Sequence, residues 1–286
     1  MTIKTWALPG LLAVLACKPA SAAESYDNCA GFITSLPAVI SSQGTWCMKQ
    51  DLATAVTSGF VITVATNNVT IDCNNFKLGG LAAGAGTQAS GIFANNRQNI
   101  TVKNCNVRGF FAGVQLQGSL ASGNVVVDNR FDGNTYISIY VGGDGSLVQR
   151  NRVTDTGGST VQVNAYGIYA VNSVDIVDNT VSGVAATTAG DGSAYGIYTG
   201  DNFAGRIIDN GVRGLLPDGS GATVGIDNVN SGRLVIAGNH VVDQTSSGTI
   251  GLACAILNSR AKDNVIDGFS VGISVCGDAG GNDVTP

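Results

Sequence analysis

The sequence predicts an all-β solenoid of stacked parallel coils. Three observations predict it: near-identical segments 29 residues apart, "AYGIY" at Ala165 and again at Ala194; a spaced series of asparagines; and a composition suited to short strands joined by turns. Charged residues make up 12% of the 286, about half the usual share of roughly 25%, while 40 glycines accompany abundant Val, Ile, Asn and Thr. No charge run, proline cluster or polar linker divides the chain, which reads as one domain.

In chain order, Lys4, the apolar run Trp6 to Ala16 and Ala20-Ser21-Ala22 follow the plan of a secretory signal cleaved after Ala22. Residues 1–22 are therefore expected to be a signal peptide, and the protein to be secreted, periplasmic or on the cell surface. Val14-Leu15-Ala16-Cys17 also has the outline of a lipoprotein box, a minority reading that anchors the chain at Cys17. No other stretch is long and apolar enough to span a bilayer. Residues 23–59 are expected to cap the first coil, 60–278 to form the solenoid and 279–286 a C-terminal tail.

Each unit contains an asparagine, at 129, 151, 179, 210, 239 and 264, with an apolar residue three before and another two after. The two apolar columns flank a sharp bend in which a residue such as Asn adopts the left-handed conformation. A second signature precedes the asparagine: Gly91-Ile92, Gly113-Val114, Ser138-Ile139, Gly167-Ile168, Gly196-Ile197, Gly225-Ile226, Ala255-Ile256 and Gly272-Ile273. Spacings of 22, 28, 31, 29 and 25 residues demand a repeat array. The units lack the leucines of leucine-rich repeats and the 3.6-residue period of helical ones. Stacked parallel strands bury the Val/Ile columns and let the asparagines share side-chain hydrogen bonds.

On these motifs, and on "NNVTIDCNNFKLGG" followed by "QNITVKNCNVRGF", the chain resembles the right-handed parallel β-helix of pectin-lyase-like proteins, including uncharacterised exported bacterial ones, over residues 60 to 278. The resemblance implies three short strands per coil with an N-terminal cap. It says little about activity, since this fold hosts lyases, hydrolases, epimerases and inert spikes. In related folds a groove along the coils often holds polysaccharide.

The extra residues of the longer coils fall at 154–165, 182–194, 213–223 and 242–253, all before the next Gly-Ile strand, so stacking aligns them as one wall of a groove. The floor, read as the residue after each Ile, is Phe93, Gln115, Tyr140, Tyr169, Tyr198, Asp227, Leu257 and Ser274. Tyr140, Tyr169 and Tyr198 are the candidate carbohydrate-binding residues, because aromatic faces suit sugar rings; stacked aromatics also stabilise sheets. Three positions further on stand Asn172, Asp201, Asn230 and Arg260. Asp201, Asp227 and Arg260 are the candidate catalytic group, able in principle to serve a hydrolase or a uronide lyase. Asp201 and Asp227 are offset by about 11 Å at strand dimensions, more than the ~6.5 to 9.5 Å of inverting carboxylate pairs. Arg260-Ala261-Lys262 is similar to the Arg-x-Lys of polygalacturonases, but their Gly-His-Gly and adjacent aspartates are absent.

The function expected is to bind or process extracellular polysaccharide; the alternative is a non-catalytic surface or adhesive scaffold. No cofactor and no metal is expected: His240 stands alone on another side, and Gly142-Gly-Asp-Gly-Ser146 is a calcium-nonapeptide fragment that does not repeat. Loss of Lys4 and Lys18 leaves 13 of the 15 basic residues against 20 acidic ones, which argues against nucleic acid. Arg130 and Arg152 nevertheless stack, with Asp128 and Asp178 placed to pair with Arg150 in an Asp-Arg-Asp ladder.

Six cysteines follow the signal, an even number that favours disulfides. Cys29–Cys47 is expected to staple the cap. Cys73 and Cys105 fall in adjacent coils out of register, which leaves their pairing open. The Ala255-Ile256 anchor sets Cys254 and Cys276 about 16 Å apart along the strand, so no direct bond is expected between them.

Overall fold

The computed structural model describes residues 26–187, 190–200, 202–229, 233–244 and 248–286. Residues 1–22, expected to be a signal peptide and including Cys17, and Asp201 lie outside the described residues. The chain winds as a parallel β-helix whose coils each lay one strand on three sheets of 10, 11 and 10 strands, every pairing parallel and between neighbouring coils. One coil runs Ala165–Val171, Val174–Val177 and Thr180–Ala185; the next repeats it as Ala194–Thr199, Arg206–Ile208 and Gly211–Leu216. We call these the first, second and third sheets. Strand pairing begins at Cys29–Ile33 and reaches Asp283–Thr285. No helix among the described residues is long and apolar enough to cross a membrane.

The apolar columns do what their spacing dictates. Val126, Val148, Ile176, Ile207, Ile236 and Ala261 are buried from the second sheet, and Phe131, Val153, Val181, Val212, Val241 and Ile266 from the third. Each such side chain contributes roughly 1.5–3 kcal/mol on burial, and stacking continues one core along the axis. The glycine of the Gly-Ile signature is needed because the strand bends there over that core. A Cβ on Gly196 would lie 2.5 Å from the Gly225 carbonyl oxygen and 2.3 Å from a methyl of Val212.

The asparagines form a buried ladder at the bend between the second and third sheets. Nδ2 of Asn151 donates to Oδ1 of Asn179 at 3.0 Å, Asn179 to Asn210 at 2.9 Å, and Asn210 to Asn239 at 3.0 Å. Each amide also donates back to a main-chain carbonyl, as Asn179 does to Val148 at 2.9 Å, and each Oδ1 accepts the main-chain N–H of the preceding rung. Every donor and acceptor of a buried amide is thereby used, which avoids the cost of an unsatisfied group. The structure adds a rung at Asn282. It also shifts the left-handed residue: not the asparagine but its predecessor bends the chain, Asp128, Arg150, Asp178, Asp209 and Asp263 having φ of 51–58°. The exposed Arg150 forms a two-bond ion pair with Asp128 at 2.8 and 2.9 Å; Asp178 exerts only a longer-range attraction.

All three disulfides form. Cys29–Cys47 joins the two outermost strands of the second sheet, as expected. Cys73–Cys105 forms because the earlier coil bulges at Asn74 and Asn75, both with positive φ, and the pair continues the ladder column: the Cys105 N–H donates to Oδ1 of Asn129. Cys254–Cys276 is a correction. Its Cα atoms lie 5.0 Å apart because Leu252, not Ile256, pairs with Ile226 and Ile273. The signature of that coil is Gly251-Leu252, the floor residue is Ala253 rather than Leu257, and the expected insertion at 242–253 shortens because residues 248–254 belong to the strand.

Candidate functional site

The outward face of the first sheet carries the corrected floor column in continuous register: Phe93, Gln115, Tyr140, Tyr169, Tyr198, Asp227, Ala253 and Ser274. Ring centroids of Tyr140 and Tyr169 are 4.9 Å apart, and those of Tyr169 and Tyr198 4.8 Å. A second aromatic row, which the sequence reading missed, runs beside them as Phe111, Tyr136, Tyr166 and Tyr195, with neighbouring centroids at 4.7, 5.5 and 4.9 Å. The rows interlock: Tyr166 lies 5.5 Å from Tyr169, and Tyr195 5.2 Å from Tyr198.

Strict alternation along a strand would put Tyr166 and Tyr169, three apart, on opposite faces. The pairing skips Gly167, so Gly167 and Ile168 both turn inward and the two rings share the outer face. The signal was present as Tyr-Gly-Ile-Tyr in two successive coils, Tyr166–Tyr169 and Tyr195–Tyr198.

Tyr166 is nearly buried at 9% exposure, whereas Tyr136, Tyr140, Tyr169, Tyr195 and Tyr198 keep part of their surface in solvent. Burial pushes the Tyr136 and Tyr166 hydroxyls up, so both stay protonated. A shallow cleft of about 180 Å³ opens among Phe111, Gln115, Tyr136, Tyr140 and Tyr169. Residues 158–164, 186–187, 190–193 and 217–222 form a wall on one side. Its loops are laced coil to coil, Thr187 N–H to the Val163 carbonyl at 3.0 Å, Asp218 N–H to the Gly192 carbonyl at 2.9 Å. Asn164 of this wall reaches the Tyr166 hydroxyl at 3.5 Å.

The track ends at Asp227. This carboxyl lies in register between Tyr198 and Ala253, and burial raises its pKa from the ordinary 3.8 to about 6. A carboxyl so tuned exchanges protons near neutral pH, the property a general acid or base needs. Beyond it the floor drops to the methyl of Ala253.

Arg260 is not in the groove. With the register corrected, the position three past the floor in its coil is Ile256. Arg260 opens the strand Arg260–Lys262 of the second sheet, paired with Val235 and Gly277. Arg130 and Arg152 pair in register on the third sheet, and exposed His240 begins a strand of that sheet four coils beyond Arg130.

A family model described as "Right handed beta helix region" matches residues 58–241. No curated protein matches the sequence. Among solved structures, the chain is similar to the Dettilon tailspike protein, with a TM-score of 0.52 and 17% identity over 89% of this chain and 60% of that one. It is also similar to the catalytic domain of a GH87 alpha-1,3-glucanase in complex with nigerose, at a TM-score of 0.44 and 13% identity over 88% and 59% of the two chains. A third is the A-module of an Azotobacter vinelandii mannuronan C-5 epimerase, at 0.40 and 12% over 85% and 83%. The chain thus spans about three fifths of the tailspike and the glucanase domain, and the likeness to the tailspike is one of fold.

Proposed function

Because the chain belongs to the right-handed β-helix family, a scaffold that repeats one outward position coil after coil, we propose that it binds extracellular polysaccharide along the aromatic track of its first sheet. The observation that carries this reading is the double row of rings, set coil after coil along the helix axis in tilted, edge-to-face and stacked contacts and bordered by a wall of long loops. Coils repeat at about 4.8 Å, close to the length of one sugar unit, so successive rings meet successive sugars. Tyr140, Tyr169 and Tyr198 are partly open to solvent, while the nearly buried Tyr166 packs beside Tyr169 and Tyr198. Asp227, at the end of the track with a carboxyl that titrates near pH 6, is the residue that would transfer a proton if the bound chain is processed. Asp201 belongs to the preceding coil by sequence and is the second carboxyl to replace in such a test. Three disulfides fit an extracellular setting, and the reading places the protein in the secreted, periplasmic or surface-bound pool.

Affinity electrophoresis of the folded protein through gels containing soluble polysaccharides tests this function. Wild type should be retarded by at least one of them, and Tyr169→Ala should lose several-fold in affinity while keeping its circular dichroism spectrum. Equal retardation of wild type and Tyr169→Ala would remove the track as the binding site and favour a scaffold whose rings only hold the sheet together.

A further inference from the structure

The groove over the tyrosines carries charge of one sign. From residue 153 to residue 205, which spans the coils of Tyr169 and Tyr198, the sequence holds no lysine or arginine; of its described aspartates, Asp155 and Asp175 belong to the third and second sheets and Asp178 to the bend between them, which leaves Asp191 on the groove side. The loop wall presents Asp191 and Asp218, each fixed by the coil beside it: the Ser220 N–H donates to Asp191 at 2.7 Å and the Gly190 N–H to Asp218 at 3.2 Å. The Ser220 N–H holds the Asp191 carboxyl below the usual carboxylate range, so Asp191 stays ionised. On the floor, Gln115, Tyr140, Tyr169, Tyr198, Ala253 and Ser274 are uncharged and Asp227 is an acid.

Among the described residues the cations are elsewhere. Arg108, Arg130, Arg152 and Arg213 belong to the third sheet, and Arg206, Arg260 and Lys262 to the second. Arg97 and Arg233 follow the strands of Phe93 and Asp227, at the two ends of the track rather than along it. A polyuronate or sulfated glycan laid on the tyrosines would bring an anion to nearly every coil, against fixed carboxylates and without a counter-charge. Partial exclusion of water strengthens that repulsion, and unpaired like charges are the usual means of rejecting a wrong ligand.

We propose that the track is selective for an uncharged polysaccharide, held along the helix axis by ring stacking and hydrogen bonds. This rests on the glycan reading above and narrows it to a substrate class. Phe93 to Asp227 spans five coil steps, about 24 Å, so a hexasaccharide fills it.

The test is titration of tyrosine fluorescence in wild type and Tyr169→Ala with three kinds of probe. The neutral probes are cello-, laminari-, malto- and mannohexaose; the acidic ones are hexagalacturonate and hexamannuronate; the cationic one is glucosamine hexamer. A neutral hexasaccharide should bind at least tenfold more tightly than either acidic one, depend on Tyr169 and be insensitive to salt. The double variant Asp191→Asn with Asp218→Asn should raise affinity for the acidic probes several-fold relative to the neutral one. Tightest binding of an acidic or cationic probe, still dependent on Tyr169, would overturn the neutral-substrate inference and leave the glycan site standing. Absence of Tyr169-dependent binding for every probe would bring down the glycan site and this inference with it.

Discussion

Replacement of Asp227 by asparagine probes the physical state of the track's terminal carboxyl. Burial between Tyr198 and Ala253 raises its pKa from 3.8 to about 6 in the folded protein. The folded chain therefore holds this proton more tightly than the unfolded chain, and stability falls as pH climbs from about 4 to about 6. Below that window the carboxyl is neutral in both states and costs nothing; above it the folded state carries a buried charge. At 1.36 kcal/mol per pKa unit the full cost is about 3 kcal/mol, and the solvent that still reaches the group brings it to about 2 kcal/mol. Asp227→Asn keeps the shape and removes the charge. The variant should be more stable than wild type by about 2 kcal/mol at pH 8, by roughly half of that near pH 5, and by only about 0.4 kcal/mol at pH 4. Urea unfolding followed by circular dichroism at the three pH values measures it. A variant less stable than wild type at pH 8, or one whose gain is the same at pH 4 and pH 8, would show that the carboxylate is solvated or paired and that the reasoning is wrong. If the protein processes its glycan, the same variant loses turnover while gaining stability, which separates a functional loss from misfolding.

Two further outcomes test the scaffold. Asn179→Ala removes the acceptor of the Asn151 main-chain and side-chain N–H groups and leaves the Val148 carbonyl and Asn210 amide short of partners; it should cost about 2–4 kcal/mol in urea unfolding, against under 0.5 kcal/mol for a surface change such as Thr180→Ala. Replacing Cys254 and Cys276 together with serine opens a closure of 22 residues, for which loop entropy gives about 3 kcal/mol. Amide hydrogen exchange should then rise in residues 248–278 and stay unchanged before residue 200, since each coil rests only on its neighbours.

The sequence by itself determined the solenoid. The Asn column, its flanking Val/Ile positions and the Gly-Ile signature recur at the interval of one coil, and buried amides and bare strand edges have no other arrangement that satisfies them. It determined the tyrosine column as well, because Tyr140, Tyr169 and Tyr198 hold one position relative to that signature. What it left open depended on irregularities of one or two residues. Ala255-Ile256 and Gly251-Leu252 both resemble the signature, and only the pairing of Leu252 with Ile226 decides between them, closing the Cys254–Cys276 bond and moving Arg260 out of the groove. A second bulge, at Asn74 and Asn75, brings Cys73 to Cys105. The inward turn at Gly167 puts Tyr166 and Tyr195 beside the tyrosines that spacing had found. Periodicity carries the mean register of a strand, but a skipped residue reverses every face after it, and the energy that selects the skip lies in contacts with the coil beneath. The raised pKa of Asp227 has the same origin: its charge is written in the chain, while the desolvation that tunes it exists only once Tyr198 and Ala253 are packed on either side.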